Sequence, residues 1–327
     1  MAIQNLDGTD AFLVTDLPGA PATGVVRVAR KVLASSATDL ARSITYSFAV
    51  FGIQRGGASA GVNAEGAGVA GAQQAFVDAV RPLVAGGLRL DPGKGFDPAA
   101  LQPLADIDDR NPLCHSSAVT AAGVVAAIES ATGPLEGRTV AVEGVDAGEV
   151  PVAVARTVVE RGGRIVAAST ANECVFNPDG LAPGGLGGAL GDLGQTDKAV
   201  KVWGAAADVI VCGSKPGALT HMGTPFIRAS AVVPWGPVPL TTKALIDLGK
   251  AGVTTLPDFV TIAGGLLAGH LEGDEAAVTR GVTERIGGLV GELRGHAEGP
   301  FLGACLRAED FLRSWQDALP FGRPLAA

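Results

Sequence analysis

The sequence has few residues of the kinds that hold metals or bind nucleic acids. Its four cysteines and four histidines are scattered, with no C-x-x-C pair and no H-x-x-x-H spacing. Such a distribution supports neither a zinc site nor a disulfide framework. Lysine and arginine together number 25 against 33 aspartates and glutamates, a net charge of -8. Because nucleic acids are bound through cations at their phosphates, we predict no nucleic-acid partner and no metal.

Long hydrophobic segments are also missing. No apolar run reaches the length of about 18 residues that a transmembrane helix needs. The first ten residues, MAIQNLDGTD, lack a basic region followed by an apolar core, which is the pattern of a secretory signal peptide. We therefore predict a cytoplasmic protein with no membrane partner.

The stretch that organises the chain is residues 137–170. It reads as a short apolar strand from Thr139 to Val145, a glycine-bearing turn, an amphipathic helix, a stop at Gly162 and Gly163, and a second strand from Arg164 to Ala168. A strand, a helix and a second strand within about 30 residues form a βαβ unit. The strands are continuous runs of valine, alanine and isoleucine, which is typical of a parallel sheet buried on both faces.

The length and the order of elements predict two domains. A chain of 327 residues with 47% hydrophobic residues exceeds what a single core usually holds. We predict a small α/β domain over residues 1–116, completed by the C-terminal helices in 290–327, and a doubly wound domain over 117–289. Within them, we expect residues 53–71 to form a glycine-dense loop around a short strand, and residues 181–194 to form a mobile surface loop.

Several motifs resemble those of one enzyme family. The segments LARSITYSFAVFGIQRGGASAGV (40–62), HSSAVTAAGV (115–124), GRTVAVEGV (137–145) and VFNPDGL (175–181) are similar in order and spacing to motifs of the glutamate/leucine/phenylalanine/valine dehydrogenases. The resemblance covers roughly residues 40–320. It implies a small α/β substrate-type domain and a Rossmann-like domain, with C-terminal helices that return to the first. It also implies NAD or NADP as cofactor, a small-molecule ligand in the interdomain cleft, and a homo-oligomer.

The catalytic positions depart from this family pattern. The family uses two lysines, one to hold the substrate carboxylate and one to assist proton transfer, and their positions here are Ser47 and Ser59. Serine is a short neutral hydroxyl where the mechanism needs a cation with a tunable pKa. Loss of one positioned acid–base group typically costs about 10² to 10⁴ in rate. The resemblance therefore predicts a degenerate active site.

The cofactor-binding positions depart as well. Gly144 keeps the first fingerprint glycine, but Asp146 stands at the second, where the backbone approaches the pyrophosphate. A carboxylate about 4 Å from a phosphate is repelled by roughly 4 kcal/mol at an effective dielectric near 20. Ser169 or Thr170 stands where the family has an acidic residue that binds the ribose hydroxyls. That change alone predicts a preference for NADP. Together with Asp146, it predicts weak cofactor binding. Thr120, in the V-T-A-x-G motif, is the polar contact that is retained.

The other candidate residues belong to the predicted cleft. Pro237 and Ile262 replace two family asparagines and supply no amide hydrogen bond. We expect Trp235 to narrow the cleft or to stack on a flat ligand.

Two further candidates, Arg55 and Lys215, come from the residues themselves. Arg55, beside Gly56 and Gly57, has a planar fork suited to a carboxylate, although a surface arginine fits the same pattern. Lys215 follows a strand end, where ligands bind in open α/β sheets, and is a candidate to stand in for a lost lysine.

Three functions are compatible with this pattern. The first is a divergent family member that no longer performs ordinary oxidative deamination, with its cleft adapted to another amino-acid-like ligand or reaction. The second is an active NAD(P)-dependent oxidoreductase on an unusual amino acid, keto acid or imine. The third is a non-catalytic subunit.

Overall fold

The computed structural model describes residues 1–326, and the chain divides into two compact units. Unit 1 comprises residues 1–110 and 305–324, and unit 2 comprises residues 111–304 with the terminal residues from 325. Within residues 1–326, no helix combines the length and the hydropathy that spanning a bilayer requires.

Unit 1 is built on a five-stranded mixed sheet in the order β1-β2-β4-β3-β5. Its strands are β1 Ala2–Asn5, β2 Ala11–Thr15, β3 Ala22–Ala29, β4 Gly56–Asn63 and β5 Leu88–Pro92, and its first two helices are α1 Ala34–Val50 and α2 Val69–Ala85. Strand β4 pairs antiparallel with β2 and parallel with β3. It is therefore a central strand.

Strand β4 is longer and more deeply placed than the sequence predicted. Its residues GGASAGVN were expected to form mostly loop, but all except Asn63 are buried. The small side chains explain the difference, because they let a helix approach the backbone closely. A Cβ added to Gly57 would lie 1.8 Å from the carbonyl oxygen of Ala41 in α1, and the Gly57 amide donates to Thr45 Oγ1 at 2.9 Å.

Alternation along β4 assigns its side chains to two faces. Ala58, Ala60 and Val62 join a core with Phe76 and other residues of α2. The opposite face carries Gly57, Ser59 and Gly61 and is covered by α1. A serine on this face lies in a tightly packed interior.

Unit 2 contains a seven-stranded sheet in the order β12-β11-β10-β6-β7-β8-β9. Its strands are β6 Thr139–Glu143, β7 Arg164–Ser169, β8 Glu173–Phe176, β9 Thr196–Lys198, β10 Val209–Cys212, β11 Ala231–Pro234 and β12 Thr254–Thr255. Its helices are α3 Ser117–Thr132, α4 Val150–Glu160, α5 Thr242–Lys250, α6 Asp258–Thr261, α7 Gly264–Ala268 and α8 Glu275–Leu293, and α9 Gly299–Arg313 runs from unit 2 into unit 1.

The strand order places β6 between β7 on one side and β10 on the other, all parallel. The chain runs from β6 outward to β7 and then returns to β10, so the topology reverses between β6 and β10. In open α/β sheets, ligands bind outside the carboxyl ends of the strands at this switch point. The antiparallel strands β8 and β9 extend the other edge.

Most residues of the segment 181–194 are exposed, as predicted for a surface loop, but part of the segment is structured. It contains two short 3₁₀ turns, Pro183–Gly185 and Leu190–Leu193. Leu186 and Leu190 are at most 1% exposed. The glycines hid the pattern, because they separate leucines that each anchor the segment to the core.

Candidate functional site

Arg55 lies just before β4 in unit 1 and is held by neighbouring backbone. Its Nε donates to Thr23 Oγ1 at 2.6 Å, and its Nη2 donates to the carbonyl oxygens of Gly87 at 2.8 Å and Ala22 at 3.2 Å. The guanidinium thus ties β3 to the turn before β5. Gly56, the next residue, is buried.

Ser47 and Ser59, which stand at the predicted lysine positions, are both buried in unit 1. Ser47 lies in α1 and is 3% exposed, and Ser59 lies at the centre of β4 and is fully buried. The Ser59 hydroxyl has no hydrogen-bond partner within residues 1–326. An unpaired buried hydroxyl costs about 1 to 3 kcal/mol, so the side chain sits in a space that does not solvate it.

The same helix is tied to the C-terminal part of unit 1. Tyr46 in α1 donates to Glu309 Oε1 at 3.2 Å, and Arg323 donates to both carboxylate oxygens of Glu309 at 2.7 and 3.1 Å. Burial and the Glu309 carboxylate raise the pKa of Tyr46, while the hydrogen bonds from Arg323 lower the pKa of Glu309. The network holds α1 against α9 and the chain that follows it.

In unit 2, four of the predicted cofactor positions lie together around the β6–α4 turn. Gly144 has φ +78°, a conformation that favours glycine, and its amide donates to Ser169 Oγ at 3.4 Å. Asp146 is exposed, and its Oδ2 accepts from the amide of Ala171 at 3.2 Å. Thr170 shapes the turn after β7, since its Oγ1 accepts from the Glu173 amide at 3.2 Å.

A second carboxylate lies deeper in the same turn. Glu143, the last residue of β6, is 9% exposed. Its Oε2 accepts from the amides of Gly213 at 2.9 Å and Ser214 at 3.2 Å, and its Oε1 accepts from Ser214 Oγ. We call this set of contacts the Glu143–Ser214 clasp. It joins the carboxyl ends of β6 and β10 across the switch point.

Trp235, the residue after β11, closes the same region. It is 6% exposed, and its indole Nε1 donates to the carbonyl oxygen of Glu143 at 2.7 Å. The ring is buried and its polar atom is engaged by the backbone, so Trp235 fills space in this region. That it stacks on a flat ligand stays a prediction.

The remaining candidates of unit 2 fall in two places. Thr120 lies in α3, donates to the carbonyl oxygen of Ser116 at 3.1 Å, and packs beneath Gly264 of α7. Ile262 ends α6, just before α7. Lys215 is exposed after β10.

Pro237 precedes a strained residue. Val238 has φ +49°, which is a genuine outlier for a β-branched residue. It is held there by two hydrogen bonds, from its amide to Asp258 Oδ2 at 2.8 Å and from the Gly217 amide to its carbonyl oxygen at 2.9 Å. Strain of this kind costs about 1 to 3 kcal/mol and persists where the surroundings over-determine the backbone.

The carboxyl end of β10 lies near two carboxylates. Burial raises the pKa of the Cys212 thiol at the end of β10 well above its ordinary value, and the carboxylates of Glu143 and Asp258 raise it further. Between Arg138 and Arg156 the chain has no lysine or arginine. No cation from the turn itself offsets these carboxylates.

The sequence profile of the Glutamate/Leucine/Phenylalanine/Valine dehydrogenase family matches residues 114–285. The chain belongs to this family. A family member, the glutamate dehydrogenase of Aeropyrum pernix, is 30% identical over 154 residues, which are 45% of this chain and 36% of that protein. The matched segment thus spans about a third of that relative's length, and the predicted family resemblance is confirmed.

Solved structures of the family confirm the predicted fold class. A hetero-hexameric glutamate dehydrogenase from Thermus thermophilus in its leucine-bound form has a TM-score of 0.81 at 23% identity, over 95% of this chain and 86% of that one. A glutamate dehydrogenase from Plasmodium falciparum gives 0.77 at 14% identity, over 93% and 77%. An L-tryptophan dehydrogenase from Nostoc punctiforme gives 0.64 at 21% identity, over 94% and 92%. At these identities the likeness establishes the fold.

The sequence reasoning missed Glu143 and Ser214. A signal for Glu143 was present, since a glutamate ends the otherwise apolar strand TVAVE directly before the fingerprint glycine. Ser214 carried no local signal. Its partner lies 71 positions earlier.

Proposed function

We propose that this chain is a divergent amino-acid dehydrogenase homologue that does not carry out NAD(P)-dependent oxidative deamination. The observation that carries the proposal is the state of Ser47 and Ser59, two neutral and buried side chains at the positions that the family fills with lysines. Neither supplies the charge that holds a carboxylate or the tunable base that moves a proton. Two such losses together correspond to about 10⁴ or more in rate.

The cofactor positions support the same proposal. Pyrophosphate binding at a βα turn depends on glycines that let the phosphate approach and on free amides at a helix N-terminus. Here Asp146 stands beside that turn and its carboxylate engages the Ala171 amide, while the carboxylate of Glu143 lies within the switch point. We infer that these residues do not fit a dinucleotide, so that NAD and NADP bind weakly or not at all.

A steady-state assay tests the proposed function. The purified chain is incubated with each of the twenty amino acids and NAD⁺ or NADP⁺, and in the reverse direction with keto acids, ammonia and NADH or NADPH, with absorbance followed at the nicotinamide band. We expect no turnover above that of a protein-free control. A kcat of a typical enzyme, about 1 s⁻¹ or more, on any of these substrates would instead establish the active oxidoreductase.

A non-catalytic subunit is the second candidate. It is favoured by the similarity to a hetero-hexameric glutamate dehydrogenase, an assembly of unlike chains. We infer that this chain forms an oligomer, either with itself or with an active relative, and that an amino-acid-like ligand is its small-molecule partner. Co-expression with an active glutamate dehydrogenase from the same organism, followed by size-exclusion chromatography, tests whether the two chains form a mixed oligomer. A single mixed peak supports it, and two separate peaks contradict it.

A further inference from the structure

The crevice where an open α/β sheet takes its ligand is filled in unit 2 by the chain's own side chains. The carboxyl ends of β6 and β10 flank this crevice, and the Glu143–Ser214 clasp joins them with three hydrogen bonds to one carboxylate. These bonds use the amides of Gly213 and Ser214. An anionic ligand at this point would need the same donors.

The packing above the clasp leaves no room at the first fingerprint glycine. A Cβ on Gly144 would lie 2.5 Å from Ser214 Cβ and 3.2 Å from Trp235 Cζ2. The backbone of Gly144 is therefore covered by side chains of residues that follow β10 and β11. In the dinucleotide-binding fingerprint the first glycine permits the tight turn, and the second lets the backbone approach the pyrophosphate. The close packing at Gly144 therefore fixes this turn, and the second position is held by Asp146.

The flank towards β7 is closed in a different way. Asp146 accepts a hydrogen bond from Ala171, which lies in the turn after β7. Its carboxylate thus bridges the β6–α4 turn to the β7–β8 turn while remaining exposed. An approaching phosphate meets one exposed carboxylate and one buried carboxylate.

We propose that Glu143 and Asp146 are the residues that exclude dinucleotides from unit 2. Glu143 closes the switch point by clasping residues 213 and 214, and Asp146 repels the pyrophosphate from the turn. This inference rests on the proposed function in that it explains how the family cofactor is lost. Solvent and salt screen the repulsion at the exposed Asp146, so we expect an effect of about tenfold or more in Kd.

The test is an NADH titration followed by nicotinamide fluorescence, with the full chain and with Glu143→Ala/Asp146→Gly. Alanine has no side-chain acceptor, so it removes the carboxylate and frees the amides of Gly213 and Ser214 for an anion. Glycine restores the small residue of the fingerprint at an exposed position. We expect no saturation of the native chain up to about 1 mM, and saturable binding by the double variant that is at least tenfold tighter.

The matched control is Glu160→Gln/Asp192→Asn, which removes the same net charge at two exposed positions of unit 2 and should bind no better than the native chain. Far-UV circular dichroism and thermal unfolding confirm that each variant folds. If the double variant does not fold, Asp146→Gly alone must still improve binding. The inference is overturned if the native chain saturates at micromolar NADH, or if a folded variant gains nothing. NADH binding without amino-acid turnover would overturn this inference and leave the proposed function standing, whereas turnover would overturn both.

Discussion

The unpaired hydroxyl of Ser59 gives the most direct test of how unit 1 is packed. Ser59 is fully buried on the face of β4 that α1 covers, and its Oγ has no hydrogen-bond partner within residues 1–326. A buried hydroxyl without a partner costs about 1 to 3 kcal/mol. Ser59→Ala removes that cost and loses only the few contacts of one oxygen atom. We expect the variant to be more stable than the native chain by about 1 kcal/mol.

The matched control is Thr45→Val at the same α1–β4 interface. Thr45 Oγ1 accepts from the Gly57 amide at 2.9 Å and donates to the carbonyl oxygen of Ala41 at 3.1 Å. Valine keeps the shape of threonine but leaves the buried amide unpaired, which costs about 1 to 3 kcal/mol. Removal of the Ser59 hydroxyl should therefore raise the free energy of unfolding, whereas removal of the Thr45 hydroxyl at the same interface should lower it.

Urea and thermal unfolding measure both variants, and hydrogen exchange of peptides covering 56–63 assigns the transition to unit 1. For a unit of this size, 1 kcal/mol corresponds to roughly 3 to 5 °C in Tm. A Ser59→Ala variant that is less stable than the native chain by 1 kcal/mol would refute the reasoning. It would mean that the hydroxyl has a bound partner, and Ser59 would become a candidate ligand-binding residue.

Two further predictions concern charge and strain. Hydrogen bonds from Arg323 lower the pKa of Glu309, so this carboxylate stabilises the fold above its unfolded pKa of about 4.5, and the contribution is lost as pH falls through the lower folded value. Glu309→Gln, which also weakens the contact with Tyr46, should therefore lower the free energy of unfolding by about 1 to 3 kcal/mol at pH 7. The loss should become progressively smaller below pH 4.5, as measured by urea unfolding at each pH. A loss that does not change with pH would contradict this. Val238→Gly should destabilise the chain less than Val233→Gly by at least about 1 kcal/mol. Both side chains are buried, but only Val238 has a strained backbone, with φ +49°, that glycine would relieve. Equal losses of Tm would show that the backbone at Val238 is not strained.

The parts of the fold that follow local rules could be predicted from the sequence. The helix α3 begins where Ser116 accepts from the Val119 amide and ends at Gly133, whose φ is +89°; both are terminal signals that a sequence displays. The βαβ unit was readable for the same reason. Strand β4 was not, because its small residues match neither strand propensity nor alternation, and the close approach of α1 decides its conformation.

The candidate site was predictable only where family spacing determined it. Gly144, Asp146 and Ser169 were identified by position, and the structure places them around one turn. Their contacts could not be predicted, since the partners of Glu143 lie just after β10 and Gly144 is covered by Ser214 and Trp235. Pairings between distant strands depend on sheet order, which local patterns do not encode.

The substitutions in unit 2 are of a kind that preserves a fold while removing a binding function. A dinucleotide site costs stability, because it keeps amides unpaired and space unfilled until the ligand arrives. The clasp does the opposite: the Gly213 and Ser214 amides are satisfied within the chain, and the volume above Gly144 is filled by packed side chains. Stabilising substitutions are easy to find, and their usual cost is a loss of function. A site that no longer binds a ligand can therefore accept substitutions that pair its amides and fill its space. On this argument the clasp has a stability signature of its own: Ser214→Ala should destabilise unit 2 by about 1 to 2 kcal/mol through the lost charge-assisted bond, an effect that a turn still shaped to receive a ligand would not show.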